Sequence, residues 1–156
     1  WAHRLKLGWI KFPSQPAWRR DGPDGVAAGL TADRQRGAVQ QAWLTANPDL
    51  RMGSPSLGWL AALFETSDRA RTDSGKARGP ILLLSGGQDH VAPQALAIGT
   101  CAALPACTNV KFEAGHHDLH MESDVVREAW IQEIERFIHA RIAAKAPRHG
   151  DQPHGL

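Results

Sequence analysis

Apolar residues recur at helical spacing in two segments of the first half of the chain. In the second of these, Leu57, Leu60, Ala61 and Phe64 stand at i, i+3, i+4 and i+7. This spacing predicts a helix with one apolar face, which begins at Ser54-Pro55 because proline suits the first helical position.

The earlier segment carries Val39, Trp43 and Ala46 on one face. Thr31 is placed as its N-cap, and Asn47-Pro48 should end it, because proline disfavours helical geometry in the residue before it. The first half of the chain therefore predicts a small pair of helices with apolar faces.

The second half changes period. Residues 65–79 are polar and small, which predicts a solvated connection, and residues 81–84 then form an apolar run without alternation. Such a run is typical of a strand buried on both faces of a parallel sheet. A helix from Pro93 to about Leu104 and a strand over 109–113 complete a crossover, which makes the two strands parallel.

A last helix should begin at Ser123 or Asp124. Its continuous apolar stripe should pack on the sheet and consists of Val126, Trp130, Ile134, Phe137, Ile138 and Ile142. After Pro147 the chain has almost nothing to bury and is predicted to be disordered. The fold class is therefore α/β, preceded by a helical region.

Composition excludes several classes of protein. The chain has 156 residues, with 18 Lys and Arg against 16 Asp and Glu and a net charge of +2. No run of like charge builds a surface for nucleic acid, and no stretch reaches the roughly 18 to 20 apolar residues of a membrane span. Residues 1–12 lack the pattern of a secretory signal, so a cytoplasmic location is predicted.

Cys101 and Cys107 are the two cysteines of the chain. Two cysteines cannot build a disulfide framework, and these two lack metal-ligand spacing with each other. They are predicted to be ordinary thiols.

The candidate chemistry lies in the two loops that follow the predicted strands, residues 86–90 and 114–122. The ends of parallel strands open on one edge of a sheet, so Asp89 and a histidine within 116–120 can meet. A carboxylate that orients an imidazole forms two members of a nucleophile, base and acid relay.

Two other interpretations of these loops stay open. Asp89 could cap the following helix. The histidines His116, His117 and His120, with Glu122 nearby, could instead hold a metal ion, although position 117 is histidine where the zincin motif has a glutamate.

Three segments together resemble a known family: Pro80-Ile-Leu-Leu-Leu-Ser-Gly-Gly-Gln-Asp-His-Val, Ala103-Leu-Pro-Ala-Cys and Phe112-Glu-Ala-Gly-His-His-Asp-Leu-His-Met-Glu-Ser-Asp. They are similar to the carboxyl half of an α/β-hydrolase of the lysophospholipase and monoacylglycerol lipase group, also described as serine aminopeptidase-like. Upstream, Leu30-Thr-Ala-Asp-Arg, Ala46-Asn-Pro-Asp-Leu and Gly53-Ser-Pro-Ser-Leu-Gly-Trp-Leu resemble its lid region. The resemblance covers residues 30–140.

The resemblance implies a role for individual residues. Asp89 takes the position of the triad acid and His117 that of the general base, while Trp59 and Leu60 are weak candidates for contact with substrate. It divides the chain into a mostly helical lid over residues 1–75, a partial α/β-hydrolase core over 76–145 and a disordered tail over 146–156. A small-molecule ester or a lipid is the implied substrate, without cofactor or metal.

One departure from the family is large. Its nucleophile lies in a Gly-x-Ser-x-Gly elbow, and no serine of this chain has both glycines: two positions before Ser56 stands Ser54, and two positions before Ser85 stands Leu83. Trp1 is no initiator residue, so a preceding segment is also expected. The chain is therefore predicted to be the carboxyl part of a longer serine ester hydrolase, inactive alone, which partners the missing amino-terminal half and contacts membrane through its lid.

Two alternative functions remain at this point. The chain could be a non-catalytic half-fold or a binding module. It could also keep the fold and change the chemistry, because related sheets host dehalogenases, epoxide hydrolases and acyltransferases.

Overall fold

The computed structural model describes residues 7–12, 18–51, 53–92 and 94–145. Four helices and two strands follow in chain order: α1 (Arg34–Ala46), α2 (Leu57–Asp73), β1 (Ile81–Gly86), α3 (Gln94–Ala102), β2 (Cys107–Phe112) and α4 (Asp124–Lys145). Short 3-10 turns lie at Pro48–Leu50, Ser74–Lys76 and Leu119–Met121. The predicted disordered tail, residues 146–156, falls outside the described residues.

The crossover predicted from the sequence is confirmed. Strands β1 and β2 pair in parallel, from Ile81 opposite Cys107 to Gly86 opposite Phe112, with α3 between them in the chain. β2 begins two residues earlier than the predicted 109 and ends at 112 instead of 113.

Burial of β1 on both faces is a prediction that the structure corrects. Residues 81–84 are only half-buried, and burial is complete only at Ser85 and Gly86. The reason is that Ile81 and Leu83 line an open groove beside α2 and α3, and that the sheet formed by the described residues has two strands, so that β1 is also unpaired along one edge. A strand without a neighbour on its second side keeps part of its surface in solvent.

The N-cap of α1 is Asp33, and the prediction of Thr31 is wrong. The Asp33 carboxylate accepts a hydrogen bond from the Arg36 N–H at 2.9 Å. Thr31 is instead buried, and its hydroxyl donates to the Met121 carbonyl at 2.8 Å. The helix ends before Pro48 as predicted, at Ala46.

Helix α2 is longer than its apolar stripe predicted. Ser56 caps it by accepting from the Trp59 N–H, so the helix starts at Leu57 and not at Ser54-Pro55. It then runs through to Asp73, so residues 65–73 are exposed to solvent as predicted but are helical and not a connection. Ion pairs one turn apart, such as Glu65 with Arg69, support the second half of α2, which is exposed and polar and has no apolar stripe.

Helix α4 contacts β1, as its apolar stripe predicted. Val126, Trp130, Ile134 and Phe137 are half-buried, whereas Ile138 and Ile142 are exposed, the latter by 63%. The stripe therefore extends beyond the sheet that covers it. Helix α3 is shorter than expected, because it ends at Ala102, and Pro93 lies outside the described residues.

Cys101 and Cys107 form a disulfide, so their prediction as ordinary thiols is wrong. The crossover explains the pairing. It folds the last turn of α3 back onto the first residue of β2 and brings the two Cα atoms to 5.3 Å, within the range that a disulfide spans.

Little of the described chain is fully buried. Its buried apolar residues are Cys101 and Leu119, while large side chains such as Trp9, Trp59, Phe64 and Leu96 are exposed. No described helix combines the length and the apolar character that crossing a bilayer requires.

Candidate active site

The loops after β1 and β2 are held together by backbone hydrogen bonds. The Gly87 N–H donates to the Phe112 carbonyl at 2.7 Å, and the Gln88 N–H donates to the Gly115 carbonyl at 2.8 Å. The approach is so close that a Cβ atom on Gly86 would collide with the carbonyl oxygens of Gly115 and His116. Glycine at position 86 therefore lets the histidine-containing loop lie against the aspartate-containing loop.

This arrangement joins Asp89 to His117. The His117 Nδ1 atom lies 3.0 Å from Asp89 Oδ2, which is hydrogen-bonding distance. The two residues are 28 positions apart in the chain and meet because both loops leave the sheet at the same edge.

The second oxygen of Asp89 has a separate task. Oδ1 accepts from the backbone N–H groups of Val91 at 2.8 Å and Ala92 at 3.0 Å. Asp89 does not cap α3, which begins at Gln94, as the alternative interpretation proposed; it closes the turn that precedes this helix, alongside the contact with His117. Both carboxylate oxygens are engaged, so the carboxylate is fixed in orientation.

The environment favours an ionised Asp89. Burial alone would raise the pKa of this carboxyl, whose side chain is 9% exposed. The hydrogen bond with His117 and those from the Ala92 and Val91 N–H groups act in the other direction and outweigh burial, so that the pKa of Asp89 is lowered. The group is therefore a carboxylate at neutral pH.

The His117 ring can act as a base on its other side. A carboxylate partner favours the tautomer in which Nδ1 carries the proton, which leaves a lone pair on Nε2. None of the hydrogen bonds among the described residues uses Nε2, and the side chain is 36% exposed. This nitrogen is therefore able to take a proton from a hydroxyl group that lies within hydrogen-bonding distance of it.

The neighbouring histidines have different partners. His116 Nδ1 lies 2.9 Å from Glu122 Oε1, and the His120 ring packs beside Trp130 with centroids 6.5 Å apart. Within the described ranges no three His, Cys, Asp or Glu residues converge in a way that could hold a metal ion. The alternative of a metal site built from this cluster thus finds no support in the geometry.

The weaker candidates lie apart from the pair in the hydrogen-bond network. Trp59 and Leu60 occupy the first turn of α2, where their N–H groups bond to Ser56, and the Trp59 side chain is 57% exposed. No hydrogen bond, ion pair or ring contact among the described residues joins either of them to Asp89 or His117. Their assignment as substrate contacts stays a prediction.

Sequence reasoning missed a set of contacts that anchors the histidine-containing loop. Residues 30–36, which we call the 30–36 clamp, bind this loop although they lie more than 80 positions away in the sequence. The Leu30 carbonyl accepts from the Asp118 N–H at 2.8 Å, and the Ala32 N–H donates to Glu122 Oε2 at 3.3 Å. Arg36 bonds the Glu122 carbonyl and the Asp124 carboxylate. The signals in the sequence were Glu122 in the histidine-containing loop and the resemblance of residues 30–34 to a lid region.

Comparison with known families identifies the fold. The family model described as serine aminopeptidase, S33, matches residues 18–124, which are 107 of the 156 residues. No curated protein sequence shows a significant match to the chain. The matched range includes both strands, Asp89, His117 and the 30–36 clamp, and the small parallel sheet agrees with part of an α/β-hydrolase fold. The chain belongs to the serine aminopeptidase S33 family of hydrolases within the α/β-hydrolase superfamily.

Proposed function

We propose that this chain is the carboxyl-terminal part of a serine hydrolase that cleaves carboxylic esters, of the lysophospholipase or monoacylglycerol lipase kind. The observation that carries the proposal is the 3.0 Å contact between His117 Nδ1 and Asp89 Oδ2 in a chain of a hydrolase family. Acid and base lie at the carboxyl edge of a parallel sheet, where catalytic groups of open α/β sheets gather.

In the proposed mechanism His117 moves the proton and Asp89 supports it. A serine hydroxyl attacks the ester carbonyl while Nε2 of His117 takes its proton, and the new C–O bond gives a tetrahedral oxyanion. His117 then returns the proton to the leaving alcohol as the acyl-enzyme forms, and water releases the acid by the same steps. Asp89 stabilises the imidazolium that exists between the two transfers.

The nucleophile and the oxyanion hole are proposed to come from an amino-terminal half of the same protein. No serine of this chain stands in a Gly-x-Ser-x-Gly elbow. Ser85 is not a substitute, because it is buried within β1. We therefore expect residues 1–156 to be inactive on their own.

An apolar groove supports the proposal that the amino-terminal half docks on this chain. It measures about 680 Å³, lies between α2, α3 and β1, and its apolar lining includes Phe64, Ile81, Leu83, Leu96 and Leu104. An exposed apolar surface beside a strand with one unpaired edge is typical of an interaction site. The remaining strands and helices of the sheet would cover both.

Substrate and location form part of the same proposal. The exposed Trp9 and Trp59 on the predicted lid favour an ester with a long acyl chain, and contact with a membrane surface that delivers it. We keep the cytoplasm as the proposed location. The Cys101–Cys107 disulfide argues against this location, because disulfides persist mainly in oxidising compartments. A count of free thiols in protein taken directly from cells decides between the two kinds of compartment: two free thiols would support the cytoplasm, and an intact disulfide would contradict it.

The proposed function is tested by ester hydrolysis with the protein expressed from its complete coding sequence. Asp89→Asn and His117→Ala should each lower kcat/KM by roughly a thousandfold or more, because the members of a relay act as a unit. The matched control is His120→Ala, a histidine of the same loop with a different partner, which should keep most of the activity.

Full activity in both relay variants would overturn the proposal. Activity on haloalkanes or epoxides in place of esters would assign the pair to one of the alternative chemistries. Ester turnover by residues 1–156 alone, lost in Asp89→Asn, would show that the nucleophile lies within this chain.

A further inference from the structure

Glu122 is the most completely buried ionisable side chain of the described residues, with 1% exposure. Its carboxylate is fully engaged: Oε1 accepts from the backbone N–H of His116 at 2.7 Å and contacts His116 Nδ1 at 2.9 Å. Oε2 accepts from the N–H of Ala32 at 3.3 Å. A buried carboxylate costs free energy unless such bonds are made. The bonds to His116 and Ala32 offset this cost and also hold those two residues in place.

Through these bonds, Glu122 fixes the residue next to the general base of the predicted active site. His116, whose N–H and ring both bond Glu122, directly precedes His117. The same glutamate reaches Ala32 of the 30–36 clamp, and its own carbonyl accepts from Arg36. Glu122 is thus the point at which the histidine-containing loop is tied to the segment that precedes α1.

We propose that Glu122 is a positioning residue for the general base: by binding the peptide N–H of His116 and that of Ala32, it sets the path of the loop so that His117 Nδ1 faces Asp89. The inference rests on the proposed function for its catalytic meaning. It concerns a residue that would touch neither substrate nor the reacting atoms.

Glutamine at position 122 would break this arrangement with little change in size. Its single amide oxygen can accept from His116 or from Ala32 but not from both, and its NH₂ group would face an N–H donor at the other site. The unpaired buried donor favours a displaced loop, and displacement separates His117 from Asp89.

The pKa of Asp89 reports this separation in the protein expressed from its complete coding sequence. Carbon-13 NMR follows the Asp89 carboxyl against pH in the wild type, in Glu122→Gln and in His117→Ala. Loss of the His117 bond removes an effect that lowers this pKa, so Glu122→Gln should raise it toward the value in His117→Ala. Removal of a negative charge alone would lower it, so the sign separates positioning from plain electrostatics.

The matched control is Glu113→Gln, which removes a carboxylate at an exposed position that pairs with Lys111. It should leave the pKa of Asp89 at the wild-type value. In the double variant with His117→Ala, Glu122→Gln should add no further rise, because the bond it protects is already absent. An unchanged or lowered Asp89 pKa in folded Glu122→Gln would overturn the inference.

Arg36→Lys serves if the glutamine variant does not fold. It keeps the charge and loses the forked contact with the Glu122 carbonyl and Asp124. A smaller rise in the same direction supports positioning, and no rise contradicts it. These outcomes are independent of ester turnover, so failure of the inference and failure of the proposed function can be told apart.

Discussion

Asp89 divides its work between its two oxygen atoms. One oxygen closes the turn at Val91 and Ala92, and the other faces the His117 ring. A carboxylate held by two backbone N–H groups cannot rotate away from the imidazole without breaking both bonds. The local turn therefore helps to orient the predicted catalytic contact, although Asp89 does not cap α3.

The pKa of Asp89 makes this testable. His117→Ala should raise it, because the bond from His117 is the largest of the effects that lower it, and burial acts upward. The bonds from Val91 and Ala92 should remain, so the two effects can be separated. Carboxyl carbon-13 titration measures the change, and an unaltered Asp89 pKa in His117→Ala would contradict it.

The same lowering has a consequence for stability. Because the folded pKa of Asp89 lies below the unfolded value of about 3.9, its stabilisation is present above that pH and is lost as the pH falls through the folded pKa. Urea unfolding of wild type and Asp89→Asn should therefore differ more at about pH 6 than at about pH 3.

Among the elements, α3 and β2 are joined covalently, which the sequence did not predict. The disulfide closes a short loop between Cys101 at the end of the helix and Cys107 at the start of the strand. It stabilises the crossover, in which α3 connects the loop after β1 to strand β2. Cys101 is also one of the two buried apolar residues of the described chain.

Removal of this disulfide should weaken the fold measurably. Replacement of both cysteines by serine should lower the free energy of unfolding by about 2 kcal/mol, as expected for closure of a short loop. Urea denaturation measures it, and reduction of the wild type should give a similar loss. Two free thiols in the air-oxidised, folded protein would contradict the pairing.

Elements that local apolar spacing defines could be predicted from the sequence. Features that depend on polar side-chain pairs or on residues distant in the chain could not. The strands, the crossover and most of α4 could be predicted, because apolar spacing is local. Residues 65–73 were missed, because an exposed helix held by ion pairs such as Glu65 with Arg69 has no apolar stripe. The N-cap of α1 was missed because Thr31 serves a distant carbonyl, that of Met121.

The candidate site likewise has features that the sequence could predict and features that only the fold reveals. Asp89 and a histidine partner could be predicted, since parallel strands open on one edge. The choice of His117 over His116 rested on family resemblance. The role of Glu122 could not be predicted, because its partner Ala32 is 90 positions away in the chain and reaches it only through the fold.

At the scale of the whole molecule, many large apolar side chains of the described residues are exposed to solvent. Phe64, Leu96 and Val125 are 69%, 65% and 82% exposed. The two-stranded sheet of the described residues also leaves β1 with an edge that another strand could pair. Both features fit a chain that completes its fold against further protein.

Residues 1–156 expressed alone should therefore self-associate. Sedimentation velocity across a range of concentrations should show assembly that grows with concentration, because exposed apolar patches associate. Co-expression with the proposed amino-terminal half should suppress it. A monomer that melts cooperatively at about 10 µM, where two-state behaviour would indicate a complete core, would contradict this expectation.

The central claim, that His117 is a base oriented by Asp89, is tested most directly by the position of its ring proton. Nitrogen-15 NMR of the imidazoles, recorded at a pH of about 8.5, roughly two units above the pKa of about 6.5 of a free histidine side chain, distinguishes the two neutral tautomers. We predict that His117 carries its proton on Nδ1 and that Asp89→Asn abolishes this preference, while His120 is unaffected. A proton on Nε2 of His117 in the wild type would contradict the claim, because that nitrogen could then take no proton from a nucleophile.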